Sequence, residues 1–378
     1  MKYSVGVDIG SSAIRVAAIR GLDSEGFAAV DRIGIVPLRE GIVQGGHIRN
    51  HLIASQALIR ALEMAGVPRY GFVVGLGAPE VAVSRVALPS AIAANERVSA
   101  LRTLDRQISP TLSLEESVLA TNEVRTDITG DGRSMTTLVV TAARREEVES
   151  LQKLMLLAGC QPRAIDLSAA GLVRALVRVP SNATEVHTVV DIGETTTTVA
   201  TRQGAHLRSV RVIPTGGRTI TRAVMSETEE SLEQATARRQ LLQLSPELAQ
   251  LPTELSAAYG ATSILTTSAA PTTLLDEAVE QACNDLIDAI ATAIENDAAN
   301  FGNTLTQGVV LSGLTSQIPG LRNRVNQRLG VPVQLGRPWA RLEKTRHNLP
   351  YLRPDAAVAN PLPELSTAIG LAMWKDER

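Results

Sequence analysis

The amino-acid sequence predicts an α/β protein made of two similar halves, with a smaller α/β unit inserted into the first half. A pattern of strand, Asp-Ile-Gly turn, small hydroxyl residues, strand and glycine occupies residues 3–21 and recurs at 186–204. The alternative is that two unrelated turns share three residues by chance. Because the flanking strands also match in length, we favour an internal duplication, which places a cleft between the two halves.

The first half is predicted to begin with hairpins and to continue with a helix. Glycine-containing turns separate three strand-like runs, Tyr3–Ile9, Ala13–Ile19 and Phe27–Val36. An apolar stripe at helical spacing then predicts a helix from about His47 to Ala65, which Gly66-Val67-Pro68 ends. A further strand follows at 70–76.

The predicted insert runs from residue 81 to about 165. Its patterns indicate a strand at 80–88, a helix at 95–108, a hairpin turning at Gly130-Asp131-Gly132 and a second helix at 145–158. A strand at 163–167 then returns to the first half.

After the second copy of the opening pattern, the sequence becomes helical between about Arg218 and Gly302. Residues 253–273 read as a loose connection. They precede a long helix with one apolar side, formed by Leu275, Val279, Leu286, Ile290 and Ile294. A strand at 308–311, a helix starting near Pro319 and a last helix at 364–374 complete the chain.

Composition excludes several classes of protein. The 37 basic and 39 acidic residues nearly cancel, so no general nucleic-acid-binding surface is indicated. Two cysteines cannot form a disulfide framework. No apolar run reaches the roughly 18 residues of a membrane span, and Asp8 interrupts the stretch where a signal peptide would be apolar. We therefore expect a cytoplasmic protein.

The two Asp-Ile-Gly turns are the strongest candidates for chemistry. Glycine lets the backbone approach a phosphate, and an aspartate at a strand end can hold Mg²⁺, usually through water. For each residue alone, an ordinary turn is the alternative. The candidate phosphate and metal ligands are Asp8, Gly10, Ser11, Ser12 and Arg15 in the first copy, and Asp191, Gly193, Thr195, Thr196 and Thr197 in the second.

His47 and His51 have the i, i+4 spacing that zinc ligands can have. No acid or cysteine nearby in the sequence supplies a third ligand. We therefore expect solvated histidines rather than a zinc site.

The two turns resemble the phosphate-1 and phosphate-2 motifs of the actin-like ATPase superfamily. Residues 308–321 resemble its adenosine motif, and Ser366–Ala372 its last connecting helix. Segments in the same order as in the PilM family of type IV pilus assembly proteins cover nearly the whole chain: VAVSRVALP, LVVTAARREEV, LLAGCQPRAIDL, Arg337-Pro338-Trp339 and AIGLAMW.

This resemblance implies a duplicated actin-like, ribonuclease H-like fold with the 1C insert that PilM shares with the division protein FtsA. Subdomain 1A would comprise residues 1–80, with 166–186 and 361–378. Subdomain 1C would be 81–165, subdomain 2A would be 187–217 with 304–360, and subdomain 2B would be 218–303. The resemblance adds Gly216, Gly217 and Gly313 to the residues expected to bind ATP or ADP with Mg²⁺.

Several positions depart from the family pattern on the nucleoside side of this site. Ser312-Gly313-Leu314 replaces a Gly-Gly-Gly turn, and Thr236 and Arg239 replace a glutamate and a lysine beside the ribose. Leu167-Ser168-Ala169 replaces a Val-Glu-Pro sequence after Asp166. We therefore expect weakened Mg-nucleotide binding and little or no ATP hydrolysis.

The resemblance implies a cytoplasmic scaffold, peripheral to the inner membrane, that binds the N-terminal cytoplasmic peptide of a PilN-like membrane protein between subdomains 1A and 1C. Other pilus platform proteins and the motor ATPase would be further partners. Arg85, Leu88 and Pro89 at the root of the insert are candidate groove residues, with packing of the insert as the alternative.

Two other functions remain open at this point. A sugar or acid kinase of the same superfamily would need a positioned general base, and no residue stands out as one. An FtsA-like division protein would carry an amphipathic tail, whereas this sequence ends four residues after Trp374.

Overall fold

The structure, a computed structural model, describes residues 3–21, 29–109, 111–178, 184–243, 272–318, 320–338 and 363–375. In the first half, three antiparallel strands are followed by two that run parallel to β1. The sheet order is β10-β6-β1-β2-β3. Its strands are β1 (Ser4–Ile9), β2 (Ala13–Arg20), β3 (Ala29–Pro37), β6 (Val73–Leu76) and β10 (Ala164–Leu167).

The second half repeats this topology strand for strand. Its sheet order is β13-β12-β11-β14-β15, with β11 to β13 antiparallel and with β14 and β15 parallel to β11. The predicted duplication is therefore confirmed. The strands are β11 (Val186–Ile192), β12 (Thr197–Gln203), β13 (His206–Ile213), β14 (Val309–Ser312) and β15 (Val333–Leu335).

The predicted insert contains a three-stranded antiparallel sheet of order β7-β9-β8. Residues from β7 and β9 pack with the short helices in an apolar cluster of their own, which includes Val86, Leu101, Leu114 and Leu138. The elements are β7 (Val81–Pro89), α2 (Arg97–Arg102), α3 (Asp105–Ile108), β8 (Ser117–Ile128), β9 (Ser134–Arg144) and α4 (Arg145–Leu157).

The prediction of one helix over 95–108 is wrong, because the chain breaks between α2 and α3. The Thr103 hydroxyl donates to the Ala100 carbonyl, which competes with continuation of the helix. The Asp105 carboxylate accepts the Leu114 N–H at 2.8 Å, which fixes the start of the second helix against the following loop.

The first long helix, α1 (His51–Met64), begins four residues later than predicted. Asn50 caps it by accepting the Ile53 N–H at 3.1 Å. The residues before it form a short hairpin of β4 (Val43–Gln44) and β5 (His47–Ile48).

The two histidines predicted to be solvated are part-exposed, and each also has a hydrogen-bond partner in the insert. His47 Nδ1 lies 2.6 Å from the Glu147 carboxylate, and His51 Nε2 lies 2.9 Å from the Ser150 hydroxyl. Both partners belong to α4, about 100 residues along the chain. The two histidines therefore join the first half to the insert.

Two helices occupy the space between the sheets, namely α5 (Ser168–Leu176) and α10 (Ser366–Ala372). They cross at Gly171 and Gly370, where a Cβ on Gly370 would overlap the Gly171 carbonyl oxygen. Glycine is therefore required at this crossing. Among the described residues, no helix is long and apolar enough to cross a membrane.

Of the remaining helices, α6, α8 and α9 pack on the second sheet, and α7 packs against α6. In α8, the buried residues Leu286, Ile290 and Ile294 confirm the predicted apolar side. The described residues exclude Phe27, Trp339 and all but the last two residues of the predicted connection at 253–273. The helices are α6 (Gly217–Thr228), α7 (Leu232–Gln243), α8 (Thr272–Asn300) and α9 (Leu321–Leu329).

Candidate functional site

A cleft of about 110 Å³ lies where the two sheets face each other across α5 and α10. Both Asp-Ile-Gly turns line it, together with the turn that follows β14. Its lining residues include Asp8, Gly10, Ser11, Ser12, Arg15, Gly46, Gly77, Ser168, Asp191, Gly193, Glu194, Thr196, Thr198, Gly313, Leu314, Thr315, Glu364 and Thr367.

The two turns have the same backbone geometry. The Gly10 N–H donates to the Ala13 carbonyl at 3.1 Å, and the Gly193 N–H donates to the Thr196 carbonyl at 3.0 Å. Asp8 pairs across its hairpin with Arg15, and Asp191 pairs in the same way with Thr198. The duplication thus places two equivalent aspartates on facing sides of one cleft.

Four of the predicted nucleotide-binding residues are outside the cleft lining. The Thr197 hydroxyl donates to the Thr215 carbonyl, and Thr195 accepts the Gly45 N–H from the first half at 3.3 Å. Gly216 and Gly217 begin α6, and the Gly217 N–H donates to the Gly193 carbonyl at 2.9 Å. The start of α6 is therefore bound to the second turn.

Burial dominates the electrostatics of the two aspartates. It raises the pKa of Asp8 to about 6; Arg15 opposes the rise, and the facing charge of Asp191 adds to it. The pKa of Asp191 is raised by burial as well, against the effects of Arg15 and a hydrogen bond from Ser312. Arg15 lies 3.6 Å from Asp8 and donates to the Ser12 hydroxyl at 3.0 Å. One arginine thus faces two buried acids.

Glu364 is a third acid of the cleft, and sequence reasoning missed it. Burial raises its pKa, and its Oε2 atom has no hydrogen-bond partner among the described residues. A single acid before the last helix belongs to no sequence motif, so the sequence does not indicate that Glu364 lies in the cleft. By contrast, Asp166 forms an ion pair with Arg174 and is absent from the cleft lining.

Glu194, in the second turn, was also missed. Burial alone would raise its pKa, but Arg239 and Arg218 hold it below the ordinary value. Arg239 Nη2 donates to one carboxylate oxygen at 2.6 Å, and Arg218 Nε donates to the other at 3.0 Å. Arg218 also contacts Glu40 of the first half, so this ion network crosses between the halves.

The cleft is suited to phosphate groups accompanied by a divalent cation. The cleft has more acidic side chains than basic ones, with Asp8, Asp191 and Glu364 against Arg15. A polyanion alone would therefore be repelled, whereas a cation bound beside these carboxylates would offset their charge. No group of three or more metal-ligating side chains is arranged to hold an ion within the described ranges. A Mg²⁺ ion here would therefore complete its shell with water and phosphate oxygens.

The candidate groove residues lie on β7. Arg85 donates to the Gln203 side chain at 3.2 Å and to the Gln203 carbonyl at 3.1 Å, which ties the insert to the second half. Leu88 is buried in the insert's own apolar cluster, whereas Pro89 is exposed. These contacts agree with packing of the insert, the alternative stated for these residues, and leave their part in peptide binding a prediction.

Comparison with known families identifies the chain. The profile of the type IV pilus assembly protein PilM matches residues 6–251, which is well over half of the sequence. The chain belongs to the PilM family. The profile of the cell division protein FtsA matches residues 188–370, the second half of this PilM family member.

Solved structures confirm the actin-like fold. A PilM–PilN type IV pilus biogenesis complex aligns with a TM-score of 0.71 at 21% identity, over 98% of this chain and 97% of that one. The ethanolamine utilization protein EutJ from Carboxydothermus hydrogenoformans aligns with a TM-score of 0.52 at 15% identity, over 99% and 90% of the two chains. At these identities the likeness is one of fold.

Proposed function

We propose that this PilM family member is a cytoplasmic scaffold of type IV pilus assembly. It binds the N-terminal cytoplasmic peptide of a PilN-like inner-membrane protein, and a Mg-nucleotide in the cleft regulates it. The observation that carries the proposal is the full-length fold match to a chain of a PilM–PilN complex. Through this peptide the protein would lie at the inner membrane.

The facing turns support the nucleotide part of the proposal. Asp8 and Asp191 would hold water-bound Mg²⁺, and Arg15 would contact a phosphate, since each of these residues lines the cleft. Glycine at positions 10 and 193 lets the phosphate chain approach the backbone. The phosphates of the nucleotide and its Mg²⁺ would then interact with residues of both halves.

The edge of the insert supports the peptide part. Strand β7 ends the sheet β7-β9-β8 and contacts β13 of the second half. An extended peptide that pairs with β7 through backbone hydrogen bonds would bind at this boundary. Other platform proteins and the motor ATPase remain proposed partners.

A single excision can remove the insert's sheet and keep helix α4, which packs on the first half. Val81 and Ala143 are cross-strand partners, so a short Gly-Ser turn can replace residues 82–142. The α4 residues Leu151, Leu154 and Met155 belong to the apolar cluster of the first half, and this excision keeps them.

The test is calorimetric titration of the protein with the N-terminal peptide of the PilN-like protein from the same genome. We expect saturable binding with a Kd of about 1 μM or tighter, near −8 kcal/mol, and loss of binding after the excision. Arg85→Ala should weaken binding, whereas Arg125→Ala should not, because Arg125 is exposed on the other edge strand, β8. Full binding by the excised protein would place the groove elsewhere.

A further inference from the structure

The end of the first half opposite the cleft is built from helix ends and strand starts. Strands β1, β6 and β10 run parallel, and the residues that follow them, Gly10, Gly77 and Ser168, line the cleft. Helices α1 and α4 precede β6 and β10, so both helices end at the other edge of this sheet. We define the distal surface as residues 63–71, 156–163 and 373–375, with Tyr3 and Arg32.

Backbone hydrogen bonds join the segments of the distal surface. The Gln161 N–H donates to the Arg69 carbonyl at 2.8 Å, and the Gly71 N–H donates to the Gln161 carbonyl at 2.9 Å. Arg32 Nη1 donates to the Gly66 carbonyl at 2.5 Å. The connections that follow α1 and α4 therefore lie against each other and form one end of the molecule's first half.

Large apolar side chains of the distal surface are exposed to water. Leu156 is 80% exposed, Tyr70 is 68% exposed and Met64 is 64% exposed, and Leu157 is close to half exposed. Removing such side chains from water is favourable, and a group of them at one place is typical of an interaction surface.

Aromatic residues with a polar group are concentrated on the distal surface. The chain contains four tyrosines and two tryptophans. The three that lie within the described residues, Tyr3, Tyr70 and Trp374, all belong to this surface. Arg32 lies over the Tyr3 ring at 4.8 Å, and Arg163 lies over the Trp374 ring at 5.2 Å. Tyrosine and tryptophan favour the boundary between lipid and water, because each combines an apolar ring with a polar group.

The charge of the distal surface is mainly positive. The charged residues of its three segments are Glu63 and three basic residues, Arg69, Arg163 and Lys375, and all four are exposed. A long basic side chain can lay its stem on apolar surface while its charged end contacts lipid phosphates. Basic residues interspersed with exposed apolar ones are therefore complementary to anionic lipid headgroups.

We propose that the distal surface binds a bilayer that contains anionic lipids, with Tyr70 and Leu156 at the level of the headgroups. Exposed apolar side chains alone would fit a protein partner equally well, and the basic residues and interfacial aromatics favour lipid. A contact of this kind is shallow and reversible. It goes beyond the peptide binding proposed above, because it attaches the protein to the membrane at a second place.

The test is sedimentation of the peptide-free protein with vesicles of equal parts phosphatidylglycerol and phosphatidylcholine. We expect saturable binding that is at least about tenfold weaker on phosphatidylcholine alone and at high salt, because each basic residue near an anionic surface strengthens binding about fivefold. The double variant Tyr70→Ser, Leu156→Ser should bind at least about tenfold more weakly than wild type. The matched control is Ile128→Ser, Leu305→Ser, which removes side chains that are 77% and 60% exposed from other surfaces.

Arg69→Gln should weaken binding about fivefold, whereas Arg133→Gln, at the exposed hairpin of the insert, should leave it unchanged. Denaturant unfolding checks that each variant is folded; if the double variant is not, the comparison of Arg69→Gln with Arg133→Gln decides. Wild type that fails to sediment with the anionic vesicles, or sediments equally with phosphatidylcholine alone, would overturn the proposal. Equal binding by the distal and control variants would overturn it too. Because no peptide is present, none of these results bears on the scaffold function.

Discussion

Asp8→Asn should change the pH dependence of stability in a calculable way. The pKa of Asp8 is raised in the folded protein from its ordinary 3.8 to about 6. A raised carboxyl pKa stabilises the fold fully below about pH 3.8, and this contribution is lost as the pH rises through about 6. At about 1.36 kcal/mol per pH unit, the whole effect is about 3 kcal/mol, and about 2 kcal/mol of it falls between pH 4 and pH 7.

The assay is denaturant unfolding in metal-free buffer across this pH range. Wild type should lose about 2 kcal/mol more than Asp8→Asn between pH 4 and pH 7, so that the variant becomes the relatively more stable protein near neutrality. Asp127→Asn is the matched control, because this aspartate is half exposed and pairs with Arg125 on β8. If Asp8→Asn and wild type lose stability in parallel, the Asp8 carboxyl is an ordinary solvated acid and the electrostatic description of the cleft is wrong.

Three further predictions concern the cleft and the core. Asp191→Ala should abolish the rise in melting temperature that millimolar Mg-ATP gives wild type, because it removes one of the two facing carboxylates; an undiminished rise would refute its role. Gly370→Ala should lower the free energy of unfolding by about 3 kcal/mol through its clash with Gly171, whereas Gly130→Ala, with open space around it, should change little. Asp297→Ala should cost about 3–5 kcal/mol by leaving Arg208 buried and unpaired. Asp288→Ala on the same helix, with an exposed partner, should cost at most about 1 kcal/mol. Denaturant unfolding measures both pairs, and equal losses within either pair would contradict the reasoning.

The sequence predicts the duplicated fold well because its signals are local. The Asp-Ile-Gly turns, their flanking strands and the hairpin at Gly130-Asp131-Gly132 depend on neighbours a few residues away. Each aspartate belongs to one copy of this local pattern, so recognising the two copies is enough to predict that both aspartates lie in one cleft.

The features missed from the sequence depend on distant partners. Glu194 accepts a hydrogen bond from Arg239, 45 residues later in the chain, and His47 is hydrogen-bonded to Glu147, 100 residues later. Glu364 reaches the cleft because α10 packs between the sheets. No periodicity or spacing encodes such pairs, and only the packed fold reveals them.

Strand β7 of the insert contacts β13 of the second half, so the insert connects the two halves. Arg85 crosses this boundary with two hydrogen bonds to Gln203, while His47 and His51 fasten the first half to α4 at the base of the insert. A rotation of one half against the other must therefore carry the sheet β7-β9-β8 with it or break these bonds. A ligand that rotates the two halves relative to each other would therefore also move the insert, although it does not contact the insert.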